Sequence, residues 1–208
     1  MAQREEGNHM KHQNFETLTA RYEENISLAA DWLEGRGLIV DDAALYRLGV
    51  VNDDSPESGP YKGRLSIPYL TPNGVVDIRF RSMLPLGPKY LSRPGAAAHL
   101  YNVPALWRDA KQIAICEGEI DAIVMDLYSG IPAVGVPGVQ LWKDHFRRVF
   151  ADYDRVLIIG DGDDAGREFA NRIAGTMDNA VAVKMRDGMD VNDLLLYEGI
   201  TAVKGLVA

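Results

Sequence analysis

One cysteine, Cys116, stands in a chain of 208 residues. Neither a disulfide framework nor a zinc module of the CxxC type can be assembled from this chain alone, so no zinc is expected in it and a reducing, cytoplasmic setting fits. Long apolar runs are missing too. Nothing approaches the roughly 18 residues of a membrane span, so no membrane partner is expected. Residues 1–14 are polar and charged where a secretory signal would be apolar, and they read as a flexible tail. The four histidines, His9, His12, His99 and His145, show no ligand spacing. There is no internal repeat and no low-complexity tract. What the chain does have is 47% apolar residues, enough to bury a real core.

The net charge of −8 argues against a nucleic-acid partner until its distribution is examined. Residues 1–57 hold 5 Lys and Arg against 12 Asp and Glu, and residues 112–208 hold 9 against 16. Residues 58–111 reverse the sign, with 8 against 2. A solvated basic face would explain such a segment, and so would a surface that contacts phosphate.

From Gln112 onward, short apolar runs alternate with helical patterns, the mark of a parallel sheet covered by helices. "QIAIC", "IPAVGV", "RVLIIG" and "AVAVKM" read as strands. "EIDAIVMDLYSG", "VQLWKDHFRRVF", "DAGREFANRIAGTM" and "VNDLLLYEG" read as helices. Residues 15–111 lack this alternation. They are expected to hold a helix over Tyr22–Arg36, stopped by "GRGL", and a hairpin from "RLSIPYL" and "VVDIRF" turned at Asn73-Gly74. A small α+β subdomain over 15–111 is therefore expected ahead of an α/β domain over 112–208. Trp32, Trp107 and Trp142 could stack on bases, although a helical aromatic is more often core.

In open parallel sheets, ligands bind beyond the carboxyl ends of the strands. Three such ends are acidic here. The first strand runs into "CEGEID", with Glu117 at its end and Asp121 one helical turn on. The third runs into "GDGDDAG", with Asp161 and Asp163. The fourth leads to "RDGMDVND", with Asp190 and Asp193. Each acid alone reads as a helix cap: Asp163 or Asp164 for the helix that follows, Asp190 for "VNDLLLYEG", with Glu119 a first-turn acid. Glu117, Asp161 and Asp163 together read better as oxygen ligands for a hard cation, with Asp164 left as the cap and Glu168 as a solvated acid. Cys116 reads as a small buried residue whose thiol pKa is raised.

"CEGEIDAI" and "IIGDGDDAGREFA" resemble the two acidic motifs of the Toprim fold, shared by bacterial-type primases, topoisomerases and some nucleases. "GMDVNDLL" is similar to the third acidic segment of bacterial-type, DnaG-like primases. "WLEGRGL", "YRLGVV", "GRLSIPYLTPNGVVDIRFRSM" and "PKYLSRPG" resemble, in order, the amino-terminal part of the same RNA polymerase core. The resemblance implies a Toprim parallel sheet flanked by helices, preceded by a primase-type α+β subdomain. It implies a nucleotidyltransferase that makes short RNA primers on single-stranded DNA from ribonucleoside triphosphates.

By the same resemblance, Glu117, Asp161 and Asp163 would be catalytic metal carboxylates for Mg²⁺ or Mn²⁺, two ions in all. Asp121 and Asp190 would support them, and Arg36, Arg64, Arg81 and Lys89 would line the template and nucleotide groove. Glu117 reads either as ligand or as proton carrier. Asn192, followed by Asp193, replaces an acid that many relatives carry, and "GAAAHLYN" offers only His99 where they carry a further lysine. The zinc module and helicase-binding tail of such primases find no counterpart, so a phage-like, isolated catalytic core working with a separate zinc-module or helicase protein is implied. A Toprim nuclease and a non-catalytic nucleic-acid-binding subunit are the alternatives. A type IA topoisomerase would need large added domains to carry its tyrosine.

Overall fold

The computed structural model describes residues 15–138 and 140–208, and the tail expected over residues 1–14 lies outside them. The chain forms two compact units, one up to Ala97 and one from Ala98.

In the first unit, the single helix expected over Tyr22–Arg36 is broken into three pieces. Residues 15–23 form α1, a 3-10 turn covers Ile26–Ala29, and α2 spans Ala30–Glu34. Asn25 makes the break. Its Nδ2 donates to the Arg21 carbonyl at 3.1 Å while its backbone N–H turns back to Tyr22, so the side chain takes an acceptor at the end of α1. After α2 the chain doubles back, with the Leu38 N–H donating to the Leu33 carbonyl. A short α3 follows at Val40–Leu45.

Four antiparallel strands then run in the order β1-β2-β3-β4: Gly49–Val50, Leu65–Thr71, Gly74–Arg81 and Tyr90–Ser92. The β2–β3 hairpin is the one expected. Gly74 turns it at φ +105, a value that L side chains rarely adopt, and a bulge at Tyr69/Leu70 adjusts the register. Alternation on β3 sends Ile78 and Phe80 into a core with Leu18, Tyr22, Val51 and Tyr61. Arg79 and Arg81 are left on the opposite face. Arg47 ties α1 to the hairpin: it pairs with Glu23 and Glu16, and Glu16 in turn accepts the Val75 N–H at 3.1 Å.

In the second unit, residues 98–111 pack with the parallel sheet. Tyr101 and Gly135 exchange backbone hydrogen bonds, the Asn102 side chain donates to the Ala133 carbonyl, and Leu100 and Ala105 enter the core. The sheet has the order β6-β5-β7-β8 and is parallel throughout, from β5 Gln112–Cys116, β6 Ala133–Gly135, β7 Arg155–Ile159 and β8 Ala180–Val183. Helices α4 Glu119–Tyr128, α5 Asp164–Ala174, α6 Val191–Glu198 and α7 Ile200–Gly205 complete it.

The central strands β5 and β7 are almost wholly buried, as their unbroken apolar runs demand. At the edge, β8 leaves Val181 exposed. The helix expected over "VQLWKDHFRRVF" is instead a 3-10 run, Asp144–Phe150. Pro137 and Gly138 precede it, and the segment is anchored by Trp142, Phe146 and Phe150, whose rings pack on one another in the core.

Candidate functional site

Strands β5 and β7 are neighbours with Cys116 opposite Ile159, so the residues that follow them emerge side by side. The Glu117 N–H continues the ladder by donating to the Ile159 carbonyl at 3.1 Å. Its carboxylate Oε2 then accepts the Asp161 N–H at 3.2 Å. The two acids expected at the ends of separate strands are thus brought together.

Asp163 has a different first task from the one expected. Its backbone is extended (φ −116, ψ −179), so its side chain reaches over the start of α5 and accepts the Gly166 N–H at 2.7 Å. It is the N-cap, the role that sequence assigned to Asp164. Asp164 is already the first helical residue, exposed and paired with Arg167 Nη2 at 2.8 Å. Glu168 is exposed on α5, as expected.

The glycines around these acids are required by close approach. A Cβ on Gly166 would lie 2.2 Å from the Asp161 carbonyl oxygen, and one on Gly162 would lie 1.7 Å from that of Arg186. The Gly162 N–H donates to the Met189 carbonyl, and the Gly188 N–H to the Gly162 carbonyl, both at 2.8 Å. The loop after β7 is therefore stitched to the loop that leads into α6. Arg167, which sequence reasoning passed over, spans the same junction. Its Nη1 donates to the Gly162 carbonyl and to Asp187, each at 3.1 Å.

At the start of α6, Asp190 and Asp193 form a capping box: Asp190 accepts the Asp193 N–H at 2.7 Å, and Asp193 accepts the Asp190 N–H at 3.3 Å. Asp121, on α4, accepts the N–H of Asn192 at 3.1 Å. Two carboxylates from different parts of the chain thus satisfy successive amides at one helix start, where the dipole favours negative charge. Asn192 and Glu119 are both about 1% exposed, burial that no periodicity in the sequence announced. Cys116 is fully buried, and burial, then the charges of Asp121 and Asp161, push its thiol pKa up.

Among the described residues, no group of three or more His, Cys, Asp or Glu is arranged to hold a metal ion. Glu117 and Asp161, brought together through the Asp161 main chain, both offer carboxylate oxygens. That chemistry fits a hard cation such as Mg²⁺ or Mn²⁺, which is often held by one or two carboxylates with waters and substrate phosphate completing the shell.

The four basic residues named from sequence also come together, within the first unit. Arg81 lies over both the Trp32 ring, at 5.2 Å, and the Tyr90 ring, at 5.1 Å. Arg36 covers Trp32 at 5.1 Å, and Lys89 lies 5.9 Å from the Tyr90 centroid. Arg64 donates to the Pro88 carbonyl at 3.0 Å, next to Lys89. Arg79, not named from sequence, is the cation nearest Tyr90, at 4.2 Å.

Compared with known proteins, residues 114–195 match the Toprim-like family. The Gene 57 protein of Mycobacterium phage D29 is 46% identical over 148 residues, covering 69% of this chain and 97% of that protein. A DnaG primase catalytic domain bound to single-stranded DNA has a similar structure, with a TM-score of 0.78 at 22% identity, over 96% of this chain and 80% of that one. The DNA primase of Pseudomonas aeruginosa is 31% identical over 120 residues, and the match spans 54% of this chain and 18% of the bacterial enzyme. The chain belongs to the family of the D29 Gene 57 protein, carries a Toprim-like domain over residues 114–195, and has the fold of DnaG catalytic cores. The D29 Gene 57 protein is among its sequence relatives. No helix among the described residues is long and apolar enough to cross a membrane.

Proposed function

We propose that this chain is the catalytic core of a DNA primase, joining ribonucleotides into short RNA primers on single-stranded DNA. The observation that carries the reading is the pairing of Glu117 with Asp161 at adjacent parallel strand ends, in a fold of the DnaG type. Glu117, Asp161 and Asp163 would hold two divalent ions, Mg²⁺ or Mn²⁺, supported by Asp121 and Asp190. Bound there, such ions would supply charge neutralisation at the triphosphate and a lowered pKa for the attacking 3′-hydroxyl.

The chain's own residues do the positioning. Asp163 and Asp190 each commit one carboxylate oxygen to a helix cap, which fixes the direction of the other. Asp121 ties the third acidic segment to α4 through Asn192, while Gly162 and Arg167 hold the loop of Asp161 to Asp163 in place. Arg36, Arg64, Arg81 and Lys89 bind the phosphates of template and incoming nucleotide.

The test is incorporation of ribonucleotides on single-stranded templates with Mg²⁺ or Mn²⁺. Incorporation that is lost in Asp161→Ala supports the reading. Metal-dependent cleavage without incorporation would instead support a Toprim nuclease. Binding of single strands that survives EDTA, with neither reaction, would support a non-catalytic subunit.

A further inference from the structure

The cations of the first unit are not mounted on flexible stems alone; two aromatic rings organise them. Tyr90 on β4 sits directly opposite Arg81 on β3, and Arg79, two residues earlier, emerges on the same face. The Tyr90 ring therefore carries Arg79, Arg81 and Lys89 at 4.2, 5.1 and 5.9 Å, and its hydroxyl meets Arg81 Nη1. Trp32, from α2, is the second ring, with Arg36 and Arg81 at 5.1 and 5.2 Å.

Arg81 is the centre of the stack and only 5% exposed. Among the described residues no carboxylate pairs with it, nor with Lys89. A guanidinium taken from water without a counter-ion loses hydration that ring faces and a phenol oxygen only partly restore. What remains is positive potential in a fixed place, and a planar fork suited to a phosphate. Long cationic side chains ordinarily lose rotamer freedom when a ligand fixes them. Here the rings impose that ordering during folding, before any ligand arrives.

We infer that Tyr90 and Trp32 are positioning residues that preset this cation array for the phosphates of a nucleic-acid single strand, with Arg79 as an added member. The inference rests on the nucleic-acid reading above and deepens it: the rings do not read bases, they fix where charge stands. Removing a ring therefore weakens the grip on phosphate while leaving every charge in the chain.

The experiment measures binding of the full chain to a fluorescently labelled oligo-dT by anisotropy across a salt series, with a thermal melt for each variant. Tyr90→Leu and Trp32→Leu are expected to weaken binding about tenfold and to flatten the plot of log K against log salt by about 0.7 for each phosphate no longer neutralised. Tyr90→Phe keeps the ring, and with it the slope. Unchanged slope and affinity in folded Tyr90→Leu and Trp32→Leu, with only a lower melting temperature, would overturn the inference. Arg36→Ala and Lys89→Ala report on the underlying reading: weaker binding there with unchanged ring variants defeats the inference alone. No effect in any of the four defeats the nucleic-acid reading of this face as well.

Discussion

Asp161 and Glu117 are joined through the backbone: the Asp161 N–H donates to Oε2 of Glu117 at 3.2 Å, across the ends of two parallel strands. A carboxylate held this way is aimed by its partner's main chain, so charge and geometry at position 117 can be separated. Glu117→Gln keeps an oxygen that can accept the Asp161 amide. It is expected to fold with a melting temperature near that of the parent and to lose incorporation by about a hundredfold or more, the order seen when stabilisation of transition-state charge is removed. Initial rates beside a thermal melt check this.

Asp163 carries two roles that substitution can divide. Asp163→Ala removes the cap on Gly166 and is expected to cost about 1 kcal/mol of stability, whereas Asp163→Ser retains a capping oxygen and is expected to cost little. Both remove the proposed metal carboxylate, so both are expected to lose incorporation. Urea midpoints together with activity distinguish the cap from the ligand.

The close approaches at Gly162 and Gly166 make a steric prediction. In both, the atom that an added Cβ would strike is backbone, 1.7 Å and 2.2 Å away, so no flexible side chain can give way. Gly162→Ala and Gly166→Ala are each expected to destabilise the chain by about 1–3 kcal/mol or more. Gly205→Ala, at a helical site with open space around it, is expected to be neutral or stabilising by up to about 1 kcal/mol. Denaturant unfolding of the three variants gives the comparison.

Asp53 sets an acid-side prediction. Burial pushes its carboxyl up, but hydrogen bonds from Ser55, Ser58 and Arg21 outweigh burial and hold it at about 2, against an ordinary 3.8. With the folded-state value depressed, its stabilisation is fully present above the ordinary value and is lost as pH falls through about 2. Asp53→Ala is expected to flatten the stability–pH curve between about pH 4 and 2, and urea melts across that window read it.

Sequence carried the centre of the second unit because its signals there are local and strong. The unbroken apolar runs of β5 and β7 mark two-sided buried strands, and acids at or just past their ends must emerge at the strand ends, which located Glu117 and Asp161. The exchange of roles between Asp163 and Asp164 was not legible, since a cap is chosen by the φ and ψ of one residue and both neighbours are aspartates. The break at Asn25 escaped for a similar reason: a side chain that competes for a helix acceptor leaves apolar periodicity intact. Around residues 142–150 the aromatic anchors Trp142, Phe146 and Phe150 have helical spacing, yet they pack from a 3-10 run. Trp32 was read toward core burial, and its organising role depends on cross-strand neighbours that are 49 and 58 residues away.

On the proposed function, the strand-end acids Glu117 and Asp161 are what make this chain a polymerase of primers. Ribonucleotide incorporation on a single-stranded template, with Mg²⁺ or Mn²⁺ and with Glu117→Gln and Asp161→Ala alongside, tests it most directly. Short RNA products are expected from the parent chain, none from folded Asp161→Ala, and a yield lower by about a hundredfold or more from Glu117→Gln. Products of equal yield from Asp161→Ala would contradict the proposed function.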